Sequence, residues 1–350
     1  KTYYNLGLVA INRRDYESAE KWLRKSIHIA EKLGDEIVAS ESYRQLALVM
    51  QRRGDLDAAD DWCRKSLEIE EGNGDKLGAA RTYHYLSNVA YDREDFNSAE
   101  KWVWKSIRII EEQGNKIGAS EAYHQLGRIA YRRGDLDAAD EWYRKSLEID
   151  ERSGDEHGAA KTYHNLSAVA NARKDFDSAE AWLWKSIHIK KKLGDRIGVA
   201  HSYQQLGIVA GTRQDLDAAE QWFFKSLEIY ETLNDEIGVA ACYTHLGSLA
   251  HYQCDYEAAR KWYEKAFEIH EKRGVMDWAV KNCNSLGNLC LTRHAGNQRD
   301  FAAAKKWFRK GLEIRGNATW RDWLALSSRL WRYRFLSIVA AVARVLKRPR

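Results

Sequence analysis

Tryptophan returns every forty residues along this chain, at Trp22, Trp62, Trp102, Trp142, Trp182, Trp222 and Trp262, and once more at Trp307. Each is followed three residues later by a lysine and seven later by an isoleucine. Such a period marks an architecture in which one short unit, too small to bury its apolar face alone, stacks against copies of itself. Eight tandem copies fit residues 1–315, the first truncated at its N-terminus, and the five-residue delay before Trp307 places a short insertion around 295–299.

Within a copy, apolar or small residues recur at spacings of three and four in two runs separated by a break such as Gly54-Asp55, which predicts a helix, a tight turn and a second helix. The aspartate repeated at Asp15, Asp55, Asp95, Asp135, Asp175, Asp215, Asp255 and Asp300 stands where the second helix starts, as an N-cap. Gly34, Gly74, Gly114, Gly154, Gly194 and Gly274 close the second helix in a left-handed conformation, and Asn234 takes that place in the sixth copy. Small residues recur where the helices must approach: Gly7, Ala47, Ser87, Gly127, Ser167, Gly207, Gly247 and Gly287 on the first helix, alanine at 19, 59, 99, 139, 179, 219, 259 and 304 on the second. The fold class expected is all-α, a solenoid of stacked helix pairs. A single proline and 23 glycines leave too little turn chemistry for a many-stranded β fold, and 11% aromatics argues against disorder. Copies also alternate, with Phe96 and Phe176 against Leu56, Leu136 and Leu216, and with Trp104 and Trp184 in odd copies alone, which suggests duplication of an eighty-residue unit.

Five irregularly spaced cysteines form no secreted disulfide framework and point to a reducing, cytoplasmic setting. The first residue is Lys1 and no leader follows it, so a piece of a longer protein is expected. Residues 316–350 hold eight basic side chains against Asp322, a net +7, which leaves −2 for the other 315 residues of this +5 chain. Nucleic acid is therefore disfavoured as a partner of the repeats.

YRQLA followed by DLDAADDWCRKSLEI, and its counterparts, resemble the tetratricopeptide repeat; Tyr123, Leu126, Gly127, Ala139, Tyr143 and Ser146 fit the pattern. The repeat is six residues longer than usual and lacks the proline after the second helix, like the longer-helix subclass of Pins-type adaptors and of sensor arrays in bacterial signalling NTPases. The resemblance implies a right-handed superhelix of antiparallel helix pairs whose first helices line a concave groove. It also implies that the ligand is read at positions 2, 5, 6, 9, 12 and 13 of each copy.

Those positions change from copy to copy, whereas stacking positions do not. The candidate groove residues are Arg44, Gln45, Arg52, Arg81, His84, Tyr85, Asn88, Tyr91, His124, Gln125, Arg128, Tyr131, Arg132, Lys161, His164, Asn165 and Gln205. Their forked donors suit carboxylates and extended peptide backbone, and cations exceed anions in these rows, so an acidic or carboxylate-terminated protein or peptide is the expected partner. Against the carboxylate grip of co-chaperone members of the family, the counterparts are His84 and Asn88, then Gln125, then Lys161 and Asn165, of which Asn88 and Lys161 match in type.

Other chemistry is discounted. His84, His124 and His164 recur every forty residues, but adjacent helices about 9–10 Å apart cannot bring three imidazoles onto one ion. No phosphate loop, nucleophile elbow or zinc-protease motif occurs, so no enzyme, cofactor, metal or small-molecule substrate is expected. The tryptophan row reads as packing, not base stacking. In the C-terminal region 316–350, Trp323, Leu326 and Ser327 predict a capping half-repeat over 318–334. The apolar and then basic segment 335–350 is too short to span a bilayer; it reads as a second capping helix, with an oligomer contact or a membrane-surface contact as alternatives. The function expected is a non-catalytic scaffold that binds protein or peptide. The alternative is the ligand sensor of a larger signalling NTPase or protease whose effector lies outside this chain.

Overall fold

The computed structural model describes residues 2–13, 15–292 and 300–315. They fall into two compact units that divide between Leu193 and Gly194, and among the described residues every regular element is helical. The first unit holds α1 (Thr2–Asn12), α2 (Tyr16–Leu33), α3 (Glu36–Arg52), α4 (Leu56–Gly72), α5 (Lys76–Asp92), α6 (Phe96–Glu112), α7 (Lys116–Arg133), α8 (Leu136–Ser153), α9 (Glu156–Ala172) and α10 (Phe176–Lys192). The second holds α11 (Arg196–Thr212), α12 (Leu216–Thr232), α13 (Glu236–Tyr252), α14 (Tyr256–Lys272), α15 (Met276–Leu291) and α16 (Phe301–Arg315). Within each unit successive helices pack as antiparallel pairs on their neighbours, the all-α solenoid arrangement expected from the period. Lys1, the insertion at 295–299, the capping half-repeat at 318–334 and the segment 335–350 lie outside the described residues.

Turn chemistry sets the period. Each repeated aspartate accepts the amide three residues on, from Ser18 N at 3.0 Å for Asp15 to Ala303 N at 2.8 Å for Asp300. The Ser18, Ser98 and Ser178 groups hold the Asp15, Asp95 and Asp175 carboxyls below the usual carboxylate range. A second series, Asp35, Asp75, Asn115, Asp155, Asp195 and Asp235, caps the first helices in the same way. Gly34 at φ 67° and its counterparts take the left-handed conformation expected of them, as does Asn234 at φ 54°. The break after the first helix needs that conformation too. Gly54 and Gly134 supply it, but Glu94, Lys174, Gln214 and Cys254 adopt it with a side chain, at φ 61°, 62°, 70° and 64°. A side chain in this region costs roughly 1 kcal/mol. Lys174→Gly is therefore expected to raise the stability of the first unit by about that amount, read as a higher urea midpoint; an unchanged or lower midpoint would contradict the account.

Packing between repeats is equally regular. Ala19, Ala59, Ala99, Ala139 and Ala179 are fully buried in the first unit. Glycine on a first helix makes room for a large side chain on the second: a Cβ on Gly127 would stand 2.6 Å from the Tyr143 ring, and one on Gly207 2.5 Å from Phe223. Where the first helix has Ala47 or Ser87 instead, the corresponding second-helix residue is the smaller Cys63 or Val103. Ser66, Ser106, Ser186 and Ser226 bury their hydroxyls on carbonyls of the partner helix at 2.7–2.8 Å. The repeated tryptophan stacks on the first-helix tyrosine, as Trp62 on Tyr43 at 5.4 Å and Trp142 on Tyr123 at 5.6 Å, with the following lysine over the indole. Tyr43, Tyr83, Tyr123 and Tyr163 donate their hydroxyls to Glu31, Glu71, Glu111 and Glu151 of the preceding repeat. Each repeat is bolted to the one before it. Arg93 and Arg173 add a second tie, reaching back to the Leu56 and Leu136 carbonyls at 3.0 Å.

Candidate functional site

In the first unit the stacking described above fixes α3, α5, α7 and α9 as successive first helices, so residues forty apart come from neighbouring helices. Residues three and four apart on one helix share a face. His84 and Asn88 on α5, His124, Gln125 and Arg128 on α7, and Lys161 and Asn165 on α9 therefore fall on one face of successive first helices, and all of them but Asn88 interact through hydrogen bonds or charge.

Asn165 Nδ2 lies 2.6 Å from His124 Nε2. An amide nitrogen only donates, so Nε2 accepts and the His124 proton is assigned to Nδ1. The His124 ring is buried against Tyr143 of α8 at 5.4 Å. Arg128 Nη1 donates to Gln125 Oε1 at 2.8 Å, and its guanidinium lies over the Tyr91 ring at 4.4 Å. Arg132 approaches the same ring at 5.4 Å and pairs with Glu94 at 2.8 Å. Gln125 is 1% exposed, and its Nε2 is buried with no hydrogen-bond partner among the described residues.

The local field is positive. Burial lowers the His84 pKa to about 4, and the charges of Lys161 and Arg128 push the same way. Burial holds His124 well below the usual imidazole range, reinforced by Lys161, Arg128 and His84. Both rings are neutral at pH 7. Neither Arg128 nor Lys161 has a carboxylate within ion-pair distance among the described residues. The arrangement offers two fixed cations, amide donors and two neutral imidazoles across three adjacent helices.

Other predicted residues are placed differently. Arg44 is buried, 6% exposed, in an ion pair with Glu70, which also accepts from Ser66 at 3.0 Å and Thr82 at 2.6 Å. That knot ties α3, α4 and α5 together. Gln45 supports the Tyr85 hydroxyl, whose pKa burial raises. Arg52 and Arg81 are exposed; Asn88, Tyr131 and His164 are half-buried, and Tyr91 is buried. Gln205 is half-buried on α11, in the second unit. There His245 stacks on Phe223 at 5.1 Å, and burial with Lys281 lowers its pKa to about 4. The second-helix rings under these histidines, Tyr143 and Phe223, were not among the sequence candidates. Their signal was the glycine facing each of them. Among the described residues no group of three His, Cys, Asp or Glu could hold a metal ion, and no helix is long and apolar enough to cross a membrane.

Residues 1–192 match the family model described as the MalT-like TPR region, and residues 158–232 and 199–272 match a tetratricopeptide repeat model. No curated protein matches the sequence. Among solved structures, a Rap protein complexed with Competence and Sporulation Factor is 13% identical, covers 95% of this chain and 96% of its own, and superposes with a TM-score of 0.59. The Rap conjugation gene regulator of plasmid pLS20, in complex with the Phr* peptide, is 15% identical over 83% of this chain and 77% of its own, with a TM-score of 0.61. A Signal Transduction ATPase with Numerous Domains from Pyrococcus horikoshii, with a tetratricopeptide repeat sensor, is 18% identical over 80% of this chain but only 44% of its own, with a TM-score of 0.58. At these identities the likeness is one of fold.

Proposed function

Because the chain belongs to the tetratricopeptide repeat family, in its MalT-like form, we propose that it is a non-catalytic scaffold that holds a protein or peptide segment against the first helices of its repeats. The observation that carries this is the α5–α7–α9 cluster, where Arg128 and Lys161 make no ion pair among the described residues, Lys161 reaching Asp150 only through its field, while the charge of both acts on two imidazoles. Arg44, by contrast, is paired with Glu70. An acidic segment or a terminal carboxylate is the complement the cluster lacks. The Rap regulator of plasmid pLS20, in complex with the Phr* peptide, and the Rap protein complexed with Competence and Sporulation Factor support such an occupant. Buried free thiols at Cys63, Cys242 and Cys283 suit a cytoplasmic setting.

Arg128→Glu tests the scaffold function. Partner captured by the parent chain should fall at least about tenfold, ~1.4 kcal/mol, with helicity retained and the melting temperature lowered only by the loss of the Gln125 and Tyr91 contacts. Equal capture by parent and variant would contradict it.

A second reading rests on the Pyrococcus horikoshii structure, in which a repeat array is the sensor of a larger ATPase. Here the chain would be such a sensor. The coding sequence on both sides of residues 1–350 separates the two: an adjoining nucleotide-binding or protease domain favours the sensor.

A further inference from the structure

We infer that the α5–α7–α9 cluster captures one carboxylate of its partner together with a proton, His84 and His124 taking up imidazolium charge beside that carboxylate while Arg128 and Lys161 supply the fixed charge. The inference rests on the scaffold function proposed above and adds a proton linkage to it.

Geometry carries it. The two imidazoles come from adjacent first helices, and the same two cations, Arg128 from α7 and Lys161 from α9, act on both rings. A carboxylate drawn to those cations therefore enters the field of both imidazoles. The groups facing the rings are Arg128 and Gln125 on α7, Lys161 and Asn165 on α9, Tyr143 on α8, and each histidine for the other. No carboxylate acts on either ring: the charge of Glu121 acts on Tyr85, that of Glu70 lies in the knot with Arg44, and Asp150, buried on α8, accepts from Ser120 and is reached by the charge of Lys161. Nothing in the free protein therefore favours the imidazolium form, and His84 holds its neutral form down to about pH 4. A bound anion reverses the sign of the local field and raises the proton affinity of both rings.

Each proton comes from solvent to a ring nitrogen, and no bond between heavy atoms forms or breaks. For His124 the nitrogen that gains it is Nε2, which now accepts from Asn165 Nδ2. Turning the Asn165 amide over presents Oδ1 to the new N–H and keeps the bond. Gln125 Nε2, which lacks an acceptor, gains one when a carboxylate settles beside Arg128.

The sign follows from linkage. The histidines of the complex titrate above those of the free chain, so affinity is flat at high pH and rises as pH falls through the complex's value. Calorimetry of the full chain with acetylated penta-glutamate carrying a free C-terminus, at pH 6 in two buffers of different ionisation enthalpy, reads the protons taken up. About one per peptide is expected, with binding roughly tenfold tighter at pH 5.5 than at pH 7.5. The double variant His84→Gln, His124→Gln should take up no proton and lose the pH dependence, whatever its affinity at pH 7.5. Should that variant not fold, proton NMR of the parent decides instead: the His84 ring signal should move its titration to pH 5.5 or above with saturating peptide, while exposed His28 and His188 do not respond to the peptide. No binding at either pH, no proton uptake, uptake unchanged in the double variant, or an unmoved His84 titration would each overturn the inference. Binding that ignores pH leaves the scaffold function standing; loss of Arg128 dependence in partner capture removes that function itself.

Discussion

Replacing Trp142 by alanine lowers the stability of the first unit by about 3 kcal/mol, the range for a large aromatic lost from a packed site. Trp142 belongs to two apolar clusters at once, one formed around Val103, Ile107 and Leu126 and the other around Tyr143, Leu147 and Leu166. It stacks on Tyr123, meets Trp104 edge-on at 5.5 Å and carries Lys145 over its face at 4.3 Å. In an array whose repeats touch only their neighbours, removing this contact weakens the interface terms on both sides. Urea unfolding followed by amide exchange should show α7 and α8 opening at lower denaturant, with partner affinity reduced only through the unfolded fraction. Trp104 is 42% exposed, so Trp104→Ala should cost under about 1 kcal/mol. Equal losses for the two tryptophans would contradict the packing described.

Acidification should destabilise the first unit well before its carboxylates are protonated. An unfolded histidine takes up a proton near pH 6.5, while His84 in the folded chain refuses one until about pH 4. Between those values the unfolded state binds more protons, so the stability is full above pH 6.5 and falls as the pH drops. At about 1.4 kcal/mol per unit, His84 alone accounts for a loss on the order of 3 kcal/mol, and His124 adds in the same direction. Buried Glu70 and Asp150, whose carboxyls lie above the usual range, act in the opposite sense. Urea midpoints at pH 7.5, 6 and 5 should therefore be compared between the parent and the His84→Gln, His124→Gln variant. The parent should lose stability across that range and the variant much less; parallel slopes would contradict the burial assigned to these rings.

The forty-residue period was enough to place the helices because the same turn chemistry recurs at each break. Asp15 to Asp300 at the second helices and Gly34 to Gly274 at the reversals can be read directly, since each does one local job. The caps at Asp35, Asp75 and their counterparts escaped notice because they follow those same glycines and read as part of one turn. Strain at Glu94, Lys174, Gln214 and Cys254 could not be seen either, since nothing in those side chains announces a left-handed backbone. The candidate site was legible as a set of variable positions but not as a geometry. Variation does not distinguish a side chain facing an open groove from one paired across two helices. Arg44 met an acid on α4, Glu70, whereas Arg128 is in no ion pair among the described residues and donates to Gln125 instead, a difference that lies in the rotamers and not in the residue types.

Site-specific photocrosslinking tests most directly whether a partner is held by the first-helix face. A crosslinking side chain is placed at Asn88 or Ala168, on α5 and α9, and in separate chains at Glu68 or Glu148, exposed on the second helices α4 and α8. The partner should be trapped from positions 88 and 168 and not from 68 and 148. Trapping from the second-helix positions, with none from 88 and 168, would contradict the account.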